Sequence, residues 1–168
     1  MKFIGCVAAF VLGASAMAAP AFGEPETRIS PFSGKPVPRF ESLRYATVHG
    51  RTGPSLEYAI AWRYEREGLP VMILEESPEW RRVRDPEGAE VWIHARMLSP
   101  MQTGMVAEDA TLKRGIDPKS SDMAIIQAGV IVDILETRQD WFKVRKAGPR
   151  NSLTGWVKQV KVWGDTSR

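Results

Sequence analysis

Two short segments place aromatic and cationic side chains at strand spacing. In Trp80-Arg81-Arg82-Val83-Arg84, residues 80, 82 and 84 share one side of an extended chain, with Val83 on the other. In Trp141-Phe142-Lys143-Val144-Arg145 the same alternation sets Trp141, Lys143 and Arg145 against Phe142 and Val144. Phe142 and Val144 are the apolar pair and mark the core face. Trp80, Arg82 and Arg84 are therefore expected on the wetter face. An aromatic ring beside guanidinium groups can bind extended peptides or carboxylates, through ring contact and charge-assisted hydrogen bonds. Tyr58, Trp62 and Tyr64 add aromatics just upstream of the first segment. The contact residues expected are Tyr58, Trp62, Trp80, Arg82 and Arg84. The competing use of the same rings is packing: Trp80 and Trp141 could cover a barrel end or bury each other between two units, and Trp62 and Tyr64 could be core.

Catalytic chemistry finds little to work with. The single cysteine, Cys6, lies in a stretch expected to be removed, so no thiol nucleophile is expected in the mature protein. His49 and His94 are the two histidines, and two histidines with an unmarked carboxylate make a poor zinc site. There is no GxSxG elbow and no phosphate-binding glycine loop. A Glu/Asp pair for glycan hydrolysis would need a deep cleft, which small barrels rarely supply. The expectation is no enzyme, no cofactor and no metal.

The positioning elements are written twice. GLPVMILEESPEWRRVR (residues 68–84) aligns without a gap on GVIVDILETRQDWFKVR (residues 129–145), with eight identities in seventeen. Gly68/Gly129, Trp80/Trp141 and Arg84/Arg145 fall in step. Turn signals recur about every ten residues: Arg51-Thr52-Gly53-Pro54-Ser55, Glu67-Gly68, Ser77-Pro78 and Asp85-Pro86-Glu87-Gly88. Between them lie expected strands at 43–48, 59–64, 69–75, 80–84 and 90–94, then a short helical turn at 95–98. The second unit repeats this order through Val106–Leu112, Val130–Glu136, Trp141–Arg145 and Gly155–Val157. A step of 61 sets Trp62 opposite Met123 and Tyr64 opposite Ile125, so any aromatic groove belongs to the first unit.

The remaining chain divides readily. Lys2, an apolar run over residues 3–16 and Ala16-Met17-Ala18 form a secretory signal pattern, with cleavage expected after Ala18. The run falls short of the ~20 residues a membrane span needs. Residues 19–40 carry prolines at 20, 25, 31, 36 and 38 and suggest an extended tether of polyproline type. A second possibility is that Lys35–Arg39 docks on a groove of its own protein. Residues 43–98 hold eight Lys/Arg against nine Asp/Glu, and residues 104–162 hold ten against seven. Neither balance is that of a nucleic-acid module.

The pattern G-[LV]-x-V-x-I-L-E, then W-x-x-V-R, then W-[IV], together with Arg51-Thr52-Gly53-Pro54-Ser55, resembles the bacterial SH3-type (SH3b) domain. More closely, it resembles the tandem version in exported proteins of Gram-negative bacteria. The resemblance covers Phe40 to Trp163. The second unit departs from it at Arg114-Gly115-Ile116-Asp117-Pro118, which lacks Gly-Pro-Ser. The resemblance implies an all-β fold of two tandem SH3-like small β-barrels, at 41–99 and 102–163. It also implies a binding module, since related domains of some cell-wall proteins contact peptidoglycan peptides while others act as packing units. The expected protein is a non-catalytic binding module in the periplasm or outside the cell, with a peptidoglycan peptide or an envelope protein as partner. The alternative is a structural or assembly protein whose two barrels pack on each other.

Overall fold

The computed structural model describes residues 26–146 and 152–164. The expected signal segment and the first part of the tether lie outside the described residues. Among the described residues, sixteen strands form one two-stranded ladder and two seven-stranded sheets. The small ladder pairs β1 (Arg28–Ile29) with β2 (Pro36–Val37). The first sheet contains β3 (Arg39–Leu43), β4 (Val48–Arg51), β5 (Ile60–Tyr64), β6 (Pro70–Glu76), β7 (Trp80–Arg84), β8 (Glu90–His94) and β9 (Leu98–Ser99). The second contains β10 (Thr103–Val106), β11 (Ala110–Lys113), β12 (Asp122–Ile126), β13 (Ile131–Arg138), β14 (Trp141–Lys146), β15 (Leu153–Lys158) and β16 (Val162–Trp163). The spatial orders are β5-β4-β8-β7-β6-β3-β9 and β12-β11-β15-β14-β13-β10-β16, the same topology twice. The neighbouring pairs are antiparallel. The expected strands at 80–84 and 90–94 match β7 and β8, and the helical turn appears as a 3-10 turn at Ala95–Met97. The single strand expected over 43–48 is instead the end of β3, a turn, and the start of β4.

Each sheet wraps its own core. Leu43, Val48, Val71, Ile73, Val83, Val91, Ile93 and Leu98 fill the first. Val106, Leu112, Val132, Phe142, Val144 and Val157 fill the second. The matched Val, Ile and Val positions of the repeat thus take up equivalent core positions, where β-branched side chains pack well on a pleated surface. Gly68 and Gly129 have φ of +74° and +78°, in the left-handed region that favours glycine. That requirement accounts for the matched glycine ahead of β6 and β13.

The tether reading needs correction from residue 28 onward. Residues 28–37 form the β1–β2 hairpin, and Val37 is buried in the first core. Arg39–Ser42 then pair with β6. Lys35–Arg39 does not lie in a groove: Val37 enters the first core and Arg39 begins β3, so the segment is part of the sheet packing. The physical reason lies in the difference between the repeats. Where the second core takes Phe142, the first has Arg81, opposite Glu76 on β6. A charged pair at that position must be covered and hydrogen-bonded, and the N-terminal hairpin supplies both. Ser33 Oγ donates to Glu76 at 2.5 Å, and Arg39 and Arg81 reach the same carboxylate at 2.6 and 3.0 Å.

The two barrels also touch. Phe40 meets Trp163 edge to face at 4.7 Å between centroids. Thr103 Oγ1 donates to the Gly68 carbonyl at 2.7 Å, and Arg66 donates to the Gly129 carbonyl at 2.6 Å. Met105 and Ile131 of the second unit pack against the first core.

Candidate functional site

A groove of about 450 Å³ lies between the loop after β4 and the turn between β6 and β7. Pro54, Ser55, Leu56 and Glu57 form one wall, Ser77, Pro78 and Glu79 the other, and Trp80 and His94 complete the lining. The first wall is held by Arg51, whose guanidinium donates to the carbonyls of Leu56 (3.0 Å) and Tyr58 (2.6 Å). The Tyr58 ring lies directly against Gly53: a Cβ there would stand 2.5 Å from the ring. The Arg-Thr-Gly-Pro-Ser stretch thus builds a loop wall around an arginine anchor and a glycine that admits the ring. The second wall is held by Arg81, which donates to the carbonyls of Ser77 (2.7 Å) and Trp80 (3.0 Å). His94 stands directly across the ladder from Trp80, with the rings edge to face at 5.2 Å. The Arg96 backbone N–H donates to its Nδ1 at 3.2 Å, which leaves Nε2 as the ring nitrogen that can donate.

Glu76, behind the second wall, is the most perturbed carboxylate of the region. Burial pushes its pKa up, but hydrogen bonds from Ser30, Ser33 and Arg39 and the Arg39 charge outweigh burial and hold it at about 2. Tyr64 is perturbed the other way. Burial raises its pKa, and the Asp85 carboxylate, which accepts its hydroxyl at 3.0 Å, raises it further. Asp85 is itself buried and accepts the backbone N–H groups of Glu87 and Ala89, closing the Asp-Pro-Glu-Gly turn.

Of the five residues expected to bind, only Trp80 lines this groove. It is 6% exposed, and Trp141 is 3% exposed, so the expectation of a wet face for both is overturned. Alternation does place them opposite the core, but each begins its strand, where flanking structure covers that side. The groove walls and His94 surround Trp80, and Lys158 lies over Trp141 with Nζ 4.4 Å from the ring centroid. Nor do the two tryptophans bury each other; the contact between barrels runs through Phe40 and Trp163. Trp62 and Tyr58 are exposed, at 54% and 48%, Trp62 on β5 and Tyr58 at the outer end of the loop wall. Tyr64 is core. Arg82 and Arg84 stand on the outer face of β6–β8 in a ladder with Glu75 (3.3 Å) and Glu90 (3.8 and 2.6 Å). They are paired within the sheet and stand apart from the groove.

The register corrects one equivalence. Val48 pairs with Tyr64 where Ala110 pairs with Ile126, and Gly50 pairs with Trp62 where Leu112 pairs with Ala124. Trp62 therefore matches Ala124, and Tyr64 matches Ile126. The turn 65–67 is one residue longer than its counterpart 127–128, which shifts the step from 61 to 62. The aromatics remain a feature of the first unit. Leu56, Glu57 and Glu79 were missed as groove residues because loop-borne side chains leave no periodic trace, and His94 because its place at the end of β8 matters only through its cross-strand partner Trp80.

Among the described residues, no group of three or more His, Cys, Asp or Glu is placed to hold a metal ion. No helix among them is long and apolar enough to cross a membrane.

Two small antiparallel barrels in tandem, the first with a groove between the loop after β4 and the β6–β7 turn, define a pair of SH3-like modules. The family described as bacterial SH3 domain matches residues 45–100 and again 106–164, and the chain belongs to that family. No curated protein matches it. Among solved structures it is similar to NlpC2 and NlpC1 from Trichomonas vaginalis, at 14% identity and a TM-score of 0.33 in each case. The matches cover 74% and 80% of this chain, and the chain spans about half the length of those two proteins, 47% and 48%.

Proposed function

We propose that the chain is an exported, non-catalytic binding module of the cell envelope, periplasmic or secreted. Its first barrel receives a peptidoglycan peptide in the groove over Trp80. The groove carries this reading: it is open, walled by Pro54, Leu56 and Pro78, and floored by a tryptophan and a histidine held in fixed geometry. Such a surface suits an extended peptide, which gains apolar contact with Pro54, Leu56 and Pro78 without ordering the protein. Membership of the bacterial SH3 family supports a binding role, and the N-terminal secretory pattern supports export. The near-balanced charge of both barrels gives no support to nucleic acid as partner. An envelope protein segment is the other occupant of the same chemistry. The test is retention of residues 19–168 on purified sacculi. Leu56→Ser should release the protein and Arg82→Ala should not. Failure of the wild type to bind would remove peptidoglycan as the ligand.

The packing of the barrels favours a second reading, that of a scaffold. Phe40, Trp163, Met105 and Ile131 bury apolar surface between them. A scaffold would show no retention on sacculi and would lose function when Phe40 is truncated.

A further inference from the structure

The two barrels fill one position differently, the second with a lysine and the first with a histidine beside the groove. Trp141 corresponds to Trp80, Asp140 to Glu79, and Lys158 to His94, because Trp141 pairs with Lys158 where Trp80 pairs with His94. The backbone agrees: Gln159 N–H donates to the Asp140 carbonyl as Ala95 N–H donates to that of Glu79. In the second barrel the Lys158 ammonium lies over the Trp141 ring and also bonds the Asp140 carboxylate. That bond holds the Asp140 carboxyl below the usual carboxylate range. A primary ammonium between an indole face and a carboxylate is a favourable arrangement. The first barrel keeps the indole and the carboxylate, replaces the lysine with His94, and adds Glu57 to the lining. The lining then holds two carboxylates and no lysine or arginine.

We propose that the groove of the first barrel binds the side-chain ammonium of a wall peptide beside His94, as the counterpart of the Lys158 ammonium of the second barrel. The ammonium meets Glu79 and Glu57 at the part of Trp80 and His94 that lines the groove, and Leu56, Pro54 and Pro78 hold its aliphatic stem. The assignment rests on the wall-binding reading for its source, but its chemistry stands on the comparison of the two barrels.

The experiment titrates the 19–168 protein with the tripeptide Ac-Ala-Lys-Ala-NH2 and with its Nε-acetylated twin, followed by the Trp80 indole and His94 ring signals in NMR. Acetylation should weaken binding about tenfold or more. His94→Lys should fill the site internally and abolish binding in a protein that stays folded, since the second barrel already accommodates that lysine. Lys158→His should create a second amine site, read at the Trp141 indole. Equal binding of the two tripeptides, binding of neither, or unchanged binding by His94→Lys would overturn the assignment. Sacculi before and after chemical N-acetylation separate the two claims. Retention on both alike overturns the ammonium site and leaves wall binding standing. Amine-dependent tripeptide binding without retention on sacculi leaves the site standing and removes the wall as its source.

Discussion

Glu76 offers a quantitative test of how the first barrel is held. Its side chain is fully buried, in contact with Ser33, Arg39 and Arg81. Its pKa is depressed from 4.5 to about 2. A carboxyl depressed on folding stabilises the folded state above its unfolded value. That stability is lost as pH falls, because the unfolded chain takes up the proton first. That depression corresponds to ~3 kcal/mol, present above pH 4.5 and lost by about pH 2. Glu76→Gln removes the charge, leaving Arg81 without a carboxylate partner and Arg39 with Glu41 alone, so a loss of ~3 kcal/mol is expected at pH 7. Urea unfolding from pH 7 to 2, read at the Val83 and Ile93 cross-peaks, measures both proteins. The wild-type advantage should shrink between pH 4.5 and 2 and vanish below. A difference that stays constant across that window, or a loss at pH 7 under ~1 kcal/mol, would refute the buried-cluster argument.

Other perturbations separate the parts of the structure. Tyr64→Phe should cost ~1 kcal/mol at pH 7, the net worth of one hydrogen bond, measured by urea unfolding. Above pH 10 the wild type should lose stability that the variant keeps, because the raised Tyr64 pKa lets the unfolded chain ionise first. Gly155→Ala would set a Cβ 2.7 Å from the Lys113 carbonyl oxygen and 2.7 Å from Leu112 Cγ, so the second barrel should lose ~1–3 kcal/mol in its thermal transition. Phe40→Ala removes the edge-to-face contact with Trp163, and differential scanning calorimetry should then resolve two transitions in place of one. Arg82→Ala breaks an exposed ladder and should change stability by less than ~1 kcal/mol in urea.

The sequence made the barrels legible because the repeat records what a core requires. Val71, Ile73 and Val83 recur as Val132, Ile134 and Val144 because both barrels bury them, and Gly68 recurs as Gly129 because both turns need positive φ. Trp80 was legible as a matched position on the sheet face opposite the core but not in its setting. Strand alternation reports which side of a sheet a residue takes, and whether a loop closes over that side depends on residues 54–57, which carry no period. The N-terminal hairpin was hidden for a related reason. Prolines 31, 36 and 38 suit an extended tether, and only the buried charge of Glu76, together with Arg81 in the place of Phe142, calls for a cover. Arg82 and Arg84 looked available because their partners, Glu75 and Glu90, lie on neighbouring strands, and the period within one strand carries no record of pairing across strands.

The central claim is that recognition belongs to the groove over Trp80. A 15N-NMR titration of the full mature chain with soluble wall peptides addresses it directly. The account predicts shifts confined to residues 54–57, 77–80 and 94, saturating together, with the Arg82–Arg84 face and the second barrel unmoved. Shifts centred on Arg82 and Arg84, or on the second barrel, would contradict it.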